Sequence, residues 1–395
     1  MKVYEIGTGY TPIPAQMGAA TEIVVEELTK AFIKQGISVE IIDIATKDRK
    51  TNALPIREVK VPTYFAGTDV KLGIMHKLKR VVYSIALAEK LKKILRASNE
   101  KVVLHFHNQY NLFFFLKLTS PALRCKCKIA YTNHSGIWRL PWEQIENTIK
   151  KRYFQEAECM KCADYVFVLN HETKQTVIEQ LNVSEEKIIV IGNGVNTEIY
   201  SPLTAQDKET LYKKWDVCGK KVILQVGSVY ENKGQLRSIQ YLEPLMKEYP
   251  DLLYMYAGGI VDEEYQQQLV NYTQEHGLQE QVRYVGMVAP GQTLNELYNI
   301  AQATILASQY ESFGLVVIES LATGTPVFID KNAAFEFEKG CIFFERESLP
   351  DVVKSEILNV SESTFEKLCT LARCEAQKQF SWEKIAQDYC EAWSD

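Results

Sequence analysis

KVYEIGTGYTPIPAQMGAATEIVVEELTKAFIKQGISVEIIDI, residues 2–44, sets the pattern from which the rest of the chain is read. Lys2–Ile6 reads as a short strand, and Gly7 to Gly18 is a loop rich in Gly and Pro. Ile23, Leu28, Ala31 and Phe32 then recur at helical spacing up to Gly36, and Ser38–Ile44 reads as a second strand. The rhythm returns at Val102–His107, Lys128–Asn133, Tyr165–Leu169 and Ile188–Ile191, with helical patterns between most of these runs. Such alternation predicts a parallel sheet covered on both faces.

A polar stretch from Asn196 to Lys220 interrupts the pattern, and a domain boundary is expected there. The rhythm then restarts. Strands are expected at Val222–Val226, Leu252–Ala257, Val282–Val285, Thr304–Ala307 and Pro326–Ile329. Helices are expected from about Gly234, up to His276, near Leu294–Ile300 and over Leu315–Thr323. The fold class read from this is α/β, with two doubly wound, Rossmann-like domains. The first covers residues 1–195, the second residues 196–379, and a last helix at about 380–395 is expected to return to the first.

The 395 residues are 46% apolar and 24% charged, with 16 Phe and 21 Tyr, which excludes intrinsic disorder and leaves enough apolar mass for two cores. The first twenty residues lack a cationic start followed by an apolar run, and no stretch of about 18 apolar residues occurs, so a cytoplasmic protein without a membrane span is expected. Nine scattered cysteines suit a reducing compartment. Cys125, Cys127, Cys159 and Cys162 could be imagined as a zinc site, but the last pair falls on one face of a predicted helix, where small thiols pack.

Residues 1–150 carry 23 Lys and Arg against 13 Asp and Glu, and the remainder carries 22 against 37. A basic first half suits an anionic partner. Lys71, Lys77, Lys79, Arg80, Lys90, Lys92, Lys93 and Arg96 lie among Leu72, Met75, Leu78, Val82, Ile85 and Ala88, which reads as a basic amphipathic helix suited to anionic lipid. The same apolar residues would equally pack on a sheet.

In open parallel sheets ligands sit beyond the carboxyl ends of strands, so the loops that follow strands carry the chemistry. Gly7-x-Gly9 begins like a dinucleotide fingerprint but fails at Pro12 and Pro14. Met17-Gly18-Ala19-Ala20 offers amides at a helix start. Gly227-Ser228-Val229-Tyr230-Glu231-Asn232-Lys233-Gly234 leaves a strand with a lysine among glycines, a pattern suited to a diphosphate although it is not a Walker motif. Glu311-Ser312-Phe313-Gly314-Leu315 through Glu319 sets two carboxylates about a helix start, where they can hold hydroxyl pairs while the amides hold phosphate.

The Glu311 to Glu319 pattern, followed by Leu321-Ala322-Thr323-Gly324-Thr325-Pro326, resembles the signature of retaining GT-B glycosyltransferases of family 4. Met17-Gly18, His105-Phe106-His107-Asn108, Asn133-His134-Ser135-Gly136, Asn193-Gly194-Val195-Asn196, Val285-Gly286 and Phe380-Ser381-Trp382-Glu383 extend the resemblance over nearly the whole chain. It implies that two sets of loops face a cleft and that a nucleotide diphosphate sugar is the donor. Uridine diphosphate sugars are favoured, with guanosine diphosphate mannose second. By the same resemblance Gly18 meets the diphosphate, His134 the transferred sugar, and Gly227, Ser228 and Lys233 the diphosphate. Glu311 binds sugar hydroxyls with the Phe313, Gly314 and Leu315 backbone, and Glu319 holds the ribose. The family usually has Arg where Ser228 stands, which leaves Lys233 as the clear cation.

No carboxylate is placed as a nucleophile and no DxD-like motif occurs in a suitable loop. Front-face transfer without cofactor or metal is therefore expected, with weaker acceptor-side roles for His107 and Asn108. A lipid-linked glycan acceptor in cell-surface polysaccharide synthesis, met at the inner membrane face, would use the basic half. The alternatives are a non-catalytic GT-B sugar-nucleotide-binding protein and a sugar-nucleotide epimerase. Nucleic acid is not an expected partner, since no recognition motif accompanies the net charge of −5.

Overall fold

The computed structural model describes residues 1–14, 20–47, 49, 53–65, 74–139, 142–333 and 336–394. The chain divides into two compact units, Met1–Gly194 with Trp382–Asp395, and Val195–Ser381.

The first unit runs β1 (Lys2–Ile6), α1 (Ala20–Lys34), β2 (Ser38–Ile44), β3 (Ile56–Val59), α2 (Ile74–Ala97), β4 (Val102–Phe106), α3 (Gln109–Leu118) and α4 (Pro121–Arg124). It continues with β5 (Cys127–Thr132), α5 (Asn147–Cys162), β6 (Tyr165–Val168), α6 (His171–Leu181) and β7 (Ile188–Val190). Its strands form one sheet in the order β3-β2-β1-β4-β5-β6-β7, with every pairing parallel. The central strand β4, Val-Val-Leu-His-Phe, is buried along its whole length, as a strand covered on both faces must be. One face packs on α2, α3, α5 and α6, through Leu87, Leu91, Leu112, Phe115, Met160 and Val177 among others.

The second unit runs α7 (Ala205–Lys214), β8 (Lys221–Val226), α8 (Gln235–Glu248), β9 (Leu252–Ala257), α9 (Glu263–Glu275), β10 (Val282–Gly286), α10 (Gln292–Ile300) and β11 (Ala303–Leu306). It closes with α11 (Leu315–Ala322), β12 (Val327–Asp330), β13 (Cys341–Phe344), α12 (Leu349–Val353) and α13 (Glu362–Phe380). The sheet order is β10-β9-β8-β11-β12-β13, again parallel throughout. Two apolar clusters line its faces, so Leu224 faces α11 and α13 while Ile223 faces α8 and α9.

The last helix, α14 (Trp382–Ser394), belongs to the first unit. Trp382, Ile385, Tyr389 and Trp393 pack with Leu28 and Phe32 of α1 and with Phe167 of β6. This helix and α1 together cover the second face of the first sheet.

The edge strands β3 and β13 are absent from the sequence reading. Each is four residues long and pairs on one side only; β3, Ile-Arg-Glu-Val, is interrupted by two charges, and β13, Cys-Ile-Phe-Phe, is an apolar run too short for periodicity to tell a strand from a helix. The expected basic segment falls on α2, where Ala88 is buried. On α2 the residues turned into the core are Tyr83, Leu87, Leu91, Ile94 and Leu95, whereas Met75, Leu78 and Ile85 are 40%, 45% and 40% exposed. Lys71 and Leu72 lie outside the described residues. Among the described residues all nine cysteines are free, with Cys127 and Cys159 buried and Cys125 and Cys162 exposed.

Trp393 is 1% exposed in the α1–α14 layer, so Trp393→Ala should cost about 3–5 kcal/mol, the usual range for removing a buried aromatic ring. Urea unfolding followed by far-UV circular dichroism checks this, and a change under about 1 kcal/mol would show that α14 contributes little to the first unit.

Candidate functional site

In each sheet the order of connection reverses once, between β1 and β4 in the first unit and between β8 and β11 in the second. At such a switch point the following loops diverge to opposite faces and leave a crevice for ligands.

In the second unit β8 ends at Gly227-Ser228, and a short 3₁₀ turn, Glu231–Lys233, leads to Gly234. Gly234 has φ +72°, and a Cβ there would lie 2.5 Å from the Ala307 carbonyl oxygen, so the close approach of this turn to the end of β11 requires glycine. Gly258, at the end of β9, is equally constrained, since a Cβ would fall 2.0 Å from the Gly227 carbonyl oxygen. Across the switch point, Ser308 to Gly314 follow β11. The Lys233 ammonium forms an ion pair with Glu311 Oε1, and Ser308 Oγ donates to the same oxygen at 2.6 Å. The Lys233 and Glu311 side chains keep 22% and 10% of their surface, so the pair is sheltered but reachable.

Two residues outside the sequence expectations hold this pair. Asn232 docks the turn on the Glu311 loop: its carbonyl accepts from Gln309 N at 2.8 Å, its Nδ2 donates to the Tyr310 carbonyl at 3.1 Å, and its Oδ1 accepts from Tyr310 N at 3.2 Å. Gln225, buried in β8, donates from Nε2 to the Lys233 carbonyl at 2.7 Å while its Oε1 accepts from Ser238 and Tyr254. Amide side chains of this kind carry no motif in sequence, and only the strand register brings them to the turn.

Ser228, half-buried, accepts at its carbonyl from Gln235 Nε2 at 3.0 Å. Arg283 is spent on the carbonyls of Trp215 and Asp216. The cation that does stand at this corner is Arg237, whose Nη2 donates to the Ala307 carbonyl at 2.9 Å and would lie 2.5 Å from a Cβ on Gly234. Gly314, at φ +85°, precedes α11. Phe313 stacks edge-on to Phe380 and, with Leu315, packs on the core cluster. Half-buried Glu319, one and a half turns into α11, accepts from Tyr298 OH at 2.8 Å. Burial pushes its carboxyl up to about 7 despite the Tyr298 and Tyr200 hydroxyls.

In the first unit β1 and β4 lie side by side with Glu5 opposite His105. Glu5 is fully buried, and its two oxygens meet His105 Nδ1 at 2.9 Å and His107 Nε2 at 2.7 Å. His107 Nδ1 in turn meets His134 Nε2 at 2.9 Å, so the structure brings His107 and His134 together at the ends of β4 and β5. Burial works against the Glu5 charge, yet the fields and hydrogen bonds of the two imidazoles outweigh it and hold the acid at about 2. Burial, with His105 alongside, pushes His107 down to about 4. Glu5, His105 and His107 place three potential metal-ligand atoms within 4.8 Å, but each is engaged in a hydrogen bond to another member.

Asn108 caps α3, accepting from Tyr110 N, and donates to Tyr10 OH at 2.9 Å. Arg80 of α2 lies 4.2 Å over the Tyr10 ring, so this cation braces the first loop. Gly18 lies outside the described residues. The loop bearing His134 is pinned by Glu156 of α5, which accepts from Tyr131 OH at 2.6 Å, Asn133 Nδ2 at 2.7 Å and Trp138 Nε1 at 2.8 Å.

Two family models match in tandem and between them span most of the chain: Glycosyltransferase Family 4 over residues 21–199, and Glycosyl transferases group 1 over residues 207–335. The chain belongs to the group 1, family 4 glycosyltransferases. This transferase is 25% identical over 335 residues to the putative glycosyltransferase YtcC of Bacillus subtilis, covering 83% of the chain and 74% of that protein. It is also 25% identical over 256 residues to mannosylfructose-phosphate synthase of Agrobacterium fabrum, over 62% of the chain and 56% of the relative. Solved structures share the fold. Anabaena Alr3699/HepE in complex with UDP matches with a TM-score of 0.74 at 17% identity, covering 100% of both chains. Sucrose-phosphate synthase of Thermosynechococcus elongatus matches with 0.72 at 19% identity, covering 100% of this chain and 98% of that one. The two-domain GT-B architecture of the transferase is thereby shown.

Burial pushes Glu156 up to about 7, against hydrogen bonds from Tyr131, Trp138 and Asn133. A raised carboxyl binds its proton more tightly folded than unfolded, so it favours folding at low pH and loses that contribution as pH rises from about 4.5 through 7. Wild-type stability should therefore fall relative to Glu156→Gln across that window, by at most about 1.4 kcal/mol per pH unit. Urea midpoints of both proteins from pH 5 to 8 read it, and a relative rise would contradict the assignment.

Proposed function

We propose that this glycosyltransferase moves a hexose, with retention, from a nucleotide diphosphate sugar to a glycan acceptor, and that Lys233 receives the departing diphosphate. The observation that carries the reading is the Lys233–Glu311 pair at the β8/β11 switch point. A diphosphate arriving there takes over the ammonium, and the Glu311 carboxylate so released accepts hydrogen bonds from sugar hydroxyls. Donor binding thus exchanges one partner of each group for another, and neither charge is left bare. Uridine diphosphate is the favoured carrier, and the UDP complex of the Anabaena protein, which shares the fold, supports that choice. Guanosine diphosphate mannose is second.

Transfer breaks the bond between the anomeric carbon and the phosphate oxygen, and the electron pair leaves with the diphosphate. The acceptor hydroxyl oxygen bonds to the same face of that carbon, and its proton passes to the leaving phosphate oxygen. Charge accumulates on the diphosphate as the bond breaks, so Lys233, Ser228 and the Gly314 and Leu315 amides contribute by standing in place beforehand. In this reading Lys233 supplies the charge that a divalent ion supplies elsewhere, and transfer proceeds without one.

The acceptor proposed is a lipid-linked glycan in polysaccharide synthesis, with the first unit resting on anionic lipid. Met75, Leu78 and Ile85 are exposed on α2, Lys77, Lys93 and Arg96 are exposed along the same helix, and no described helix is long and apolar enough to cross a membrane. Flotation with vesicles containing anionic lipid at low salt should carry the protein upward, and failure to float would remove the membrane component of the proposal.

Uridine, guanosine and thymidine diphosphates, each with and without EDTA, are the test. The cognate nucleotide should stabilise wild type by about 2.7 kcal/mol at a hundredfold excess over Kd, with or without EDTA. Lys233→Ala should lose most of that shift and roughly 10²–10³-fold in turnover. Stabilisation by none of the three would return the chain to the reading of a non-catalytic homologue.

Glu319 supplies a pH signature. If its carboxylate accepts the ribose hydroxyls, uridine binding strengthens as pH rises through about 7 and Glu319 ionises. Calorimetric titrations from pH 6 to 8 should show that trend in wild type and a flat profile in Glu319→Gln.

A further inference from the structure

The buried acid Glu5 lies within no motif of the sequence, yet the chain of contacts that reaches His134 begins on it. Its carboxylate, held ionised, can only accept hydrogen bonds, so the nitrogens facing it both carry hydrogens: Nδ1 of His105 and Nε2 of His107. His107 is neutral near pH 7, having been pushed down to about 4, and a neutral imidazole with a hydrogen on Nε2 has a bare lone pair on Nδ1. Among the described residues the donor that meets that lone pair is His134 Nε2, 2.9 Å away. Burial, with His107 and His105 nearby, also holds His134 well below its ordinary value, which leaves a single proton for its ring. That proton is committed to His107, so Nδ1 of His134 is a lone pair. It meets no partner among the described residues, and the ring is half-buried at the carboxyl end of β5.

We propose that Glu5 and His107 are positioning residues that fix His134 in its Nε2–H tautomer and so present an unprotonated Nδ1 to the hydroxyl of a bound sugar. That His134 meets the transferred sugar is what the family resemblance implies, so the inference rests on the proposed transfer, and it adds which atom makes the contact and why its polarity is fixed. A hydroxyl donates to such a nitrogen, whereas a phosphate oxygen is repelled by its lone pair. The arrangement therefore selects a neutral hydroxyl at this position and rejects an anion. It also explains a fully buried carboxylate on a central strand, a costly feature unless every donor around it is satisfied.

The far side of the network is held by the last helix. His105 Nε2 lies 2.7 Å from Thr132 Oγ1, which lies 3.1 Å from Tyr389 OH on α14. The imidazoles of His105 and His107, with centroids 4.1 Å apart, are locked between β1, β4 and that helix. With both rings fixed, the tautomer of His134 follows from Glu5 alone.

The chain has six histidines, few enough for their ring nitrogens to be resolved by long-range proton–nitrogen correlation on protein labelled with ¹⁵N-histidine. Wild type at pH 7 should show hydrogens on Nε2 of His107 and His134 and on Nδ1 of His105. A hydrogen on Nδ1 of His134 would overturn the proposal without any variant having to fold. On adding UDP-glucose, the bare Nδ1 of His134 should move upfield as it accepts a hydroxyl. An unmoved Nδ1, with nucleotide binding confirmed by thermal shift on the same sample, would overturn the ligand half while leaving the donor reading of Lys233 intact.

Glu5→Gln supplies the second arm, because an amide must turn its NH₂ toward one of the two imidazoles and force that ring to reverse. The spectrum should then show His107, and with it His134, changed in part to Nδ1–H. Turnover should fall about 10–100-fold, the usual cost of losing an orienting partner of a histidine, while UDP affinity changes less than about twofold. Equal loss of turnover with an unaltered tautomer pattern would assign Glu5 a purely structural role and overturn the proposal.

Discussion

Parallel strands joined by right-handed crossovers must at one point send successive connections to opposite faces of the sheet, and the loops beyond that pair cannot close over each other. Both units of this transferase meet that constraint, at β1/β4 and at β8/β11; the proposed site residues stand there, apart from His134 at the end of the neighbouring β5 and Glu319 within the helix that follows β11. In the second unit the result is a lysine and a glutamate drawn from loops 78 residues apart in sequence. They hold each other in a sheltered position, and in the proposed reaction the donor takes over both groups. Glycines at 234 and 258 are required there because backbone approaches backbone, and Asn232 and Gln225 hold the turn by amide hydrogen bonds.

Buried carboxylates are the recurrent expense of this fold, and each is met differently. Glu5 keeps its charge because two imidazoles face it, Glu156 is surrounded by three donors that pin the loop before and after His134, and Glu319 is held by tyrosine hydroxyls. Low dielectric strengthens each of these hydrogen bonds and makes any unpaired member costly, so the networks specify one arrangement of the loops. Preorganisation of that kind is what transfer requires, since donors that must reorient during the reaction contribute less to the barrier.

Much of the architecture was legible in the sequence because central parallel strands must be apolar along their whole length. β4, β9 and the strands beside them announce themselves by that run. β3 and β13 did not: β3 is interrupted by Arg57 and Glu58, and the four apolar residues of β13 are too few for periodicity to tell a strand from a helix. On α2 two apolar stripes occupy one segment: Met75, Leu78 and Ile85, read as a lipid-facing set, are exposed, and the core stripe of Tyr83, Leu87, Leu91, Ile94 and Leu95 was not singled out. Lys233, Glu311 and His134 were legible as residue types at loop positions after strands, and Glu319 as a carboxylate in the helix that opens after Gly314. Glu5, Gln225, Asn232, Glu156 and Arg237 were not, since their positions follow from strand register and packing, which bring residues from distant segments into hydrogen-bond distance.

In the proposed transfer Lys233 meets the diphosphate of the donor and no other part of it. Calorimetric affinities of UDP and of uridine, which lacks the phosphates, for wild type and Lys233→Ala at constant ionic strength test it most directly. The account expects the substitution to weaken UDP by tenfold or more and to leave uridine unchanged, so that the two ligands approach one another in affinity. Equal weakening of both, or of neither, would contradict it, and would place the phosphate-binding charge elsewhere in the chain.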